Sequence, residues 1–351
     1  MRAAASAVAA GAVWFRAMNT ISRRALLRAG LLGAATCALQ FRLEAAAELP
    51  LITKSIPRSG EKLPVIGLGT IWYRDANYPT LKLVIQRLFE LGATVIDTAA
   101  IYGESEGVIG RALQELNLRQ RCFLASKFDA GHMPAILPTE AQLRGPGPGG
   151  VDGPPPGITR PMPDGIGGLA SFERSLQRLS TDHLDLLQVH TMSDAEALLP
   201  RMLEWKRAGK IRYMGVSAPA ANPERLVQVL QAFPLDFVQL DYSLNNRAAE
   251  NGALQACAEH GAAVLINLPL GRNGMLRKVQ GQPLPVWVKE MGVTSWAQLF
   301  LKWVVSHPAV TCAIPGTTSV AHLEDDFRAG CGRLATTAQR LRIEQDWAAV
   351  A

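Results

Sequence analysis

Apolar and polar positions along this chain follow two alternating rhythms. Short apolar runs bounded by turn residues are followed by longer segments in which apolar residues recur every three or four positions, the pattern of a parallel sheet wound with helices. The short runs predict strands at 65–70, 94–98, 122–127, 184–190, 211–217, 236–241, 263–268 and 310–315. Eight strands with helices between them fit an α/β chain closed into a (β/α)8 TIM barrel. An open doubly wound sheet would want Gly-x-Gly-x-x-Gly after its first strand, and Gly67-Leu68-Gly69-Thr70 lacks that spacing. Ahead of the first strand, Ser59-Gly60-Glu61 lies between two short extended runs within 52–62. This predicts an N-terminal β-hairpin that plugs the barrel floor.

Two segments break the rhythm. From 131 to 168 Gly and Pro dominate, with Gly145-Pro146-Gly147-Pro148-Gly149-Gly150 and Pro154-Pro155-Pro156, and such a run sustains neither helix nor sheet. It is a low-complexity insertion after the third strand, on the side where barrel active sites form, and reads as a floppy excursion in preference to a lid. The other is the leader, 1–47. There Arg2, Arg16, Arg23, Arg24, Arg28 and Arg42 face only Glu44, so five of the six net positive charges of the 351-residue chain lie in it. The remainder, 48–351, is nearly neutral and gives no argument for a nucleic-acid partner or a membrane surface.

Within the leader, Ser22-Arg23-Arg24-Ala25-Leu26-Leu27-Arg28 precedes a small apolar run from Ala29 to Leu39, and Ala45-Ala46-Ala47 offers a cleavage site. The run is too short for a stable membrane span and contains Gly30 and Gly33. The segment resembles a twin-arginine signal peptide, which implies the export machinery as a partner and a periplasmic or otherwise exported location. Of five cysteines, Cys37 would leave with the leader, and Cys122, Cys257, Cys312 and Cys331 form no C-x-x-C pair. The histidines show no metal-binding spacing, so neither a disulfide framework nor a metal site is predicted.

The chemistry gathers at strand ends. Asp97 closes the second strand and leads to Tyr102, Lys127 closes the third, and His190 closes the fourth. Polar convergence on the C-terminal rim of a barrel marks catalysis. A phenol is a weak acid near neutral pH, and a cation beside it stabilises the phenolate and lowers its pKa. Lys127 is the candidate cation, with Asp97 as the counter-ion that keeps it charged. His190 is placed to orient a substrate carbonyl. An alternative use of Lys127, as a Schiff-base nucleophile, needs a depressed lysine pKa, and Asp97 works against that.

The stretch Asp97-Thr98-Ala99-Ala100-Ile101-Tyr102-Gly103-Glu104-Ser105-Glu106 resembles the D-T-A-x-x-Y-G-x-S-E signature of aldo-keto reductases. The likeness continues through Asp185-Leu186-Leu187-Gln188-Val189-His190, Gly209 to Ser217, Asp236 to Leu244 and Ile314 to Thr318, and covers about 56–330 apart from the insertion. The resemblance implies reduction of an aldehyde or ketone to an alcohol, with hydride from NADPH, or NADH as the alternative, and the proton from Tyr102. It also implies that Trp72 lines the substrate pocket. Cofactor contacts are implied for Thr70, Ser217, Gln239, Leu268, Leu270, Gly316, Thr317 and Asp326.

Three departures bear on that cofactor. Ala218 stands where the family often has Asn, Asn267 where many members stack a Tyr on the nicotinamide, and Gly316 and His322 where many place Lys or Arg against the extra phosphate. They motivate a second reading, a nicotinamide-binding redox sensor or accessory subunit with little turnover.

Overall fold

The computed structural model describes residues 49–128, 169–190, 192, 195–218 and 222–350. The leader and the Gly/Pro-rich insertion lie outside the described residues. The body that begins at Leu51 is built as anticipated from its alternating runs. A hairpin comes first, β1 (Thr53–Ser55) and β2 (Lys62–Pro64), paired antiparallel with Lys54 opposite Leu63. Its turn needs Gly60, whose φ of +75° is left-handed.

Eight parallel strands follow: β3 (Leu68–Gly69), β4 (Val95–Asp97), β5 (Phe123–Phe128), β6 (Leu184–Val189), β7 (Ile211–Ala218), β8 (Phe237–Asp241), β9 (Ala263–Asn267) and β10 (Cys312–Ala313). Each pairs with its sequence neighbour. Helices α1 (Tyr78–Glu90), α2 (Ser105–Glu115), α3 (Leu169–Arg178), α4 (Ala195–Arg207), α5 (Pro223–Ala232), α6 (Ala253–Glu259), α7 (Gly274–Lys278), α8 (Trp296–Val305), α9 (Val320–Arg328) and α10 (Thr337–Val350) join and follow the strands, with short 3-10 turns in several connections.

The sheet closes between its first and last strands. Ile66 bridges Ala313 and Gly69 bridges Gly316, with Gly67 N–H donating to the Ala313 carbonyl at 2.8 Å and Gly69 N–H to that of Pro315 at 2.9 Å. A side chain at Gly69 would put its Cβ 2.8 Å from the Ile314 oxygen, so only glycine fits this seam. The regular pairing of β3 and β10 is shorter than the predicted 65–70 and 310–315, because the seam is held by single bridges. The other six strands agree with their predicted spans within two residues.

The hairpin fills the floor as predicted. Ile56 and Leu63 pack in one buried cluster with Val95, Phe123, Tyr213 and Phe237. Glu61 bolts it there, accepting bonds from Tyr213 Oη at 2.6 Å and Arg212 Nη2 at 2.5 Å. With its lower end filled by apolar side chains, the barrel leaves only the strand C-termini open for chemistry.

Candidate active site

Alternate residues of each strand face the barrel axis. Low in the barrel these are apolar: Val95, Ala125, Leu186, Phe237 and Leu265. Two residues further along the same faces they become Asp97, Lys127, Gln188, Gln239 and Asn267. The switch from apolar to polar therefore occurs at one level on five strands and creates a polar layer on top of a hydrophobic plug.

Lys127 and Asp97 are the centre of this layer, 1% and 3% exposed. Lys127 Nζ donates to Asp97 Oδ2 and, at 2.9 Å, to the Thr98 carbonyl. The other carboxylate oxygen accepts from Gln239 Nε2 at 3.1 Å and Gln188 Nε2 at 3.3 Å. Burial disfavours both charges. For Lys127 the attraction of Asp97 and of Tyr102 outweighs burial and the net shift is upward, so the amine stays protonated. Burial pushes Asp97 up, while Lys127 and the two amides pull it down. The ion pair with its three hydrogen bonds is the state these partners favour.

Tyr102 sits beyond β4 in the turn that precedes α2, partly buried. Its ring centroid lies 5.2 Å from Lys127 Nζ and 5.9 Å from the His190 ring, at 75° to it. Burial raises the Tyr102 hydroxyl and the Lys127 cation opposes it, with a net upward shift. This differs from the lowered pKa expected from the sequence, because removal from water costs the phenolate more than Lys127 returns. The hydroxyl is thus protonated at neutral pH. His190 is brought down to about 3 by burial, with Lys127 adding to the effect. It is a neutral imidazole, and its Nδ1 has no partner among the described residues.

A hydroxyl cluster supports the turn from behind. Ser105 Oγ donates to the Thr70 carbonyl at 2.9 Å, and Thr70 Oγ1 donates to the Asp97 carbonyl at 2.9 Å. Glu106, 1% exposed, accepts from Ser126 Oγ at 2.6 Å and from Arg178 Nε at 2.8 Å. Thus the Ser-Glu end of the sequence motif holds α2 against β5 and α3.

The remaining predicted residues lie in the C-terminal halves of the strands, in the connections after them and on α9. Trp72 lies partly exposed in the β3–α1 connection. Ser217 pairs in register with Gln239, whose amide is engaged with Asp97 and with Asn267 Nδ2 at 3.4 Å. Thr70 is buried and its hydroxyl is occupied by Asp97 and Ser105. Leu268 has a φ of +50° and lines a groove, and Leu270 is buried. Gly316 is exposed at the seam, and Thr317 Oγ1 accepts from Ser319 N–H at 3.1 Å ahead of α9. Asp326 is buried on α9, where burial and then Asp325 hold its carboxyl up to about 7.

Sequence reasoning missed Gln188 and the cations after β9. Gln188 shares the inward face of β6 with His190, and that alternation was the signal available. The groove beside Leu268 measures about 580 Å³ and carries Arg272, Arg277 and Lys278 with Asn245 and Asn246. Asp241 lines the same groove, where burial raises its carboxyl and Asn246 and Arg272 oppose that. No cluster of His, Cys, Asp or Glu suited to a metal ion occurs among the described residues, and no helix among them is long and apolar enough to cross a membrane.

Comparison with known proteins agrees with this geometry. The chain is 32% identical over 288 residues to methylglyoxal reductase YeaE of Escherichia coli (strain K12), covering 78% of this chain and 88% of that one. It is 27% identical over 310 residues to the NADP(+) aldo-keto reductase yakc of Schizosaccharomyces pombe, covering 77% and 84%. Among solved structures, an aldo-keto reductase from Klebsiella pneumoniae in complex with NADPH superposes with a TM-score of 0.65 at 27% identity, covering 85% of this chain and 96% of that one. The family model described as aldo/keto reductase family matches residues 65–338, and the chain belongs to that family of oxidoreductases.

Proposed function

We propose that the protein reduces an aldehyde or ketone to the alcohol, using NADPH, with NADH as the alternative, and taking the proton from Tyr102. The observation that carries this reading is the meeting of a protonated Tyr102, a charged Lys127 and a neutral His190 within about 6 Å of one another, counted from the Tyr102 ring, at the strand ends. The residues present suit a nicotinamide dinucleotide. Arg272, Arg277 and Lys278 in the groove after β9 match phosphates, and the buried Asn267 Oδ1, without a partner among the described residues, matches an amide N–H. The Klebsiella pneumoniae relative with NADPH and the NADP(+) enzyme of Schizosaccharomyces pombe support the same choice.

Bound there, the nicotinamide supplies the hydride. The protein does the rest. His190 donates a hydrogen bond to the substrate oxygen and aims it toward Tyr102. Tyr102 Oη transfers its proton to that oxygen as charge develops, and Lys127 stabilises the phenolate left behind. Asp97, held by Gln188 and Gln239, keeps Lys127 charged. Trp72 forms a wall of the substrate pocket. Ser217 and Asn267 stand for the carboxamide, and the loop from Leu268 to Gly274 with Gly316 and Thr317 for the phosphates. Thr70 acts through Asp97 and Ser105, and Asp326 stands for the far end of the cofactor.

The test is Tyr102→Phe. Carbonyl reduction is expected to fall by roughly 10²-fold or more, while NADPH binding, followed by fluorescence, stays within about twofold of wild type. Wild-type turnover in that variant refutes the assignment. We also infer that the protein is exported folded through the twin-arginine route, since its leader has the paired arginines and short apolar run of such a signal, and a folded passenger can carry its dinucleotide with it.

A further inference from the structure

We propose that Arg74 is a positioning residue for the proton donor, fixing the turn that carries Tyr102 to the loop that carries Trp72. This rests on the reading of Tyr102 as the acid. Arg74 follows Trp72 by two residues, yet it is only 7% exposed. Its Nη1 donates to the carbonyls of Tyr73 at 2.5 Å, Tyr102 at 3.0 Å and Ile71 at 3.2 Å. A second bond crosses the same gap in the same direction: Asp75 N–H donates to Glu104 Oε2 at 2.8 Å. Residues 71–75 and 102–104 are therefore stapled twice, once at the backbone of the acid itself.

The turn needs this help. Tyr102 N–H bonds the Ala99 carbonyl at 3.0 Å, but the Ser105 N–H to Tyr102 carbonyl bond is long, at 3.3 Å, and Gly103 sits at a φ of +65°. Nothing in that local pattern fixes the ring to within the fraction of an ångström that proton transfer needs. The charge-assisted bond from Arg74 to the Tyr102 carbonyl does. Burying a guanidinium is costly. Burial pulls the Arg74 pKa down against the opposing pull of Glu104, and its Nη2 has no partner among the described residues. An apolar side chain would fill the space at less expense, so packing does not account for an arginine here.

Arg74→Met, Glu104→Ala and Tyr102→Phe, with the Arg74→Met/Tyr102→Phe double variant, test the proposal in the full chain. Arg74→Met is expected to lower kcat by roughly 10- to 100-fold, with NADPH affinity by fluorescence titration unchanged within about threefold. The alkaline limb of its kcat profile should move to higher pH, because a displaced hydroxyl feels Lys127 less. Glu104→Ala should show the same split with smaller amplitude. In the Tyr102→Phe background, Arg74→Met should cause no further loss of the residual rate. An unchanged kcat, an unmoved pH limb, or an equal loss in the Tyr102→Phe background overturns the role. Should Arg74→Met fail to fold, Glu104→Ala decides, and wild-type kcat there overturns it. Full turnover by Tyr102→Phe instead sinks the acid assignment itself, whereas an inactive Tyr102→Phe beside an unaffected Arg74→Met sinks only the role of Arg74.

Discussion

Replacing Lys127 by Met separates what the buried ion pair does for stability from what it does for catalysis. The Lys127 side chain is fully buried and that of Asp97 nearly so. Removing the amine leaves a carboxylate in the barrel interior without its cation, a change that costs about 3–5 kcal/mol. Gln239 and Gln188 still donate to Oδ1, which puts the expected loss near the lower end, about 3 kcal/mol. Reduction should fall by roughly 10²-fold or more as the phenolate loses its stabiliser.

The sign with pH follows from Asp97. Burial raises its pKa and Lys127 opposes that, so in Lys127→Met the folded state holds the carboxyl proton more tightly than the unfolded chain. Stability in the variant is then fullest below the ordinary carboxylate pKa and is lost as pH rises through the elevated value. Urea unfolding followed by tryptophan fluorescence should show the deficit at pH 8 and a smaller one at pH 5. Adding Asp97→Asn removes the stranded charge but leaves an acceptor for both amides, and should recover about 2 kcal/mol without restoring activity. A single variant within about 1 kcal/mol of wild type at pH 8, or a double variant no better than the single, refutes the reasoning.

Two further outcomes are expected. Gly110→Ala would set a Cβ 2.4 Å from the Arg178 oxygen and 2.6 Å from the Leu179 carbonyl carbon, prying α2 from α3 at a cost of about 1–3 kcal/mol; Gly107→Ala on the same helix meets nothing within 4 Å and should be neutral or slightly stabilising by urea midpoint. For export, mass spectrometry of the periplasmic fraction should find a mature chain starting near Glu48, and Arg23→Lys/Arg24→Lys should leave the precursor inside the cell; a full-length periplasmic chain would count against cleavage.

The barrel was legible because its strands announce themselves twice, by apolar runs and by the turn residues between them. Asp97, Lys127 and His190 were legible because a titratable residue at the end of an apolar run has nowhere to go but the rim. Gln188 escaped notice although it shares the inward face with His190, since an uncharged amide inside a strand looks like a tolerated polar residue until Asp97 is seen two strands away. The groove after β9 was hidden for a different reason. Its shape depends on left-handed φ values at Leu268, Arg272 and Asn273, and of these only Asn273 is a type that favours that conformation. The cations of Arg272, Arg277 and Lys278 therefore read as ordinary solvated charges. The absence of a basic residue at Gly316 suggested a weak hold on phosphate, but the structure relocates positive charge to the end of the seventh barrel strand. Arg74 was the least readable of all. An arginine in a short loop is normally a surface residue, and the contact that ties it to the site, with the Tyr102 carbonyl, is 28 positions away in the sequence.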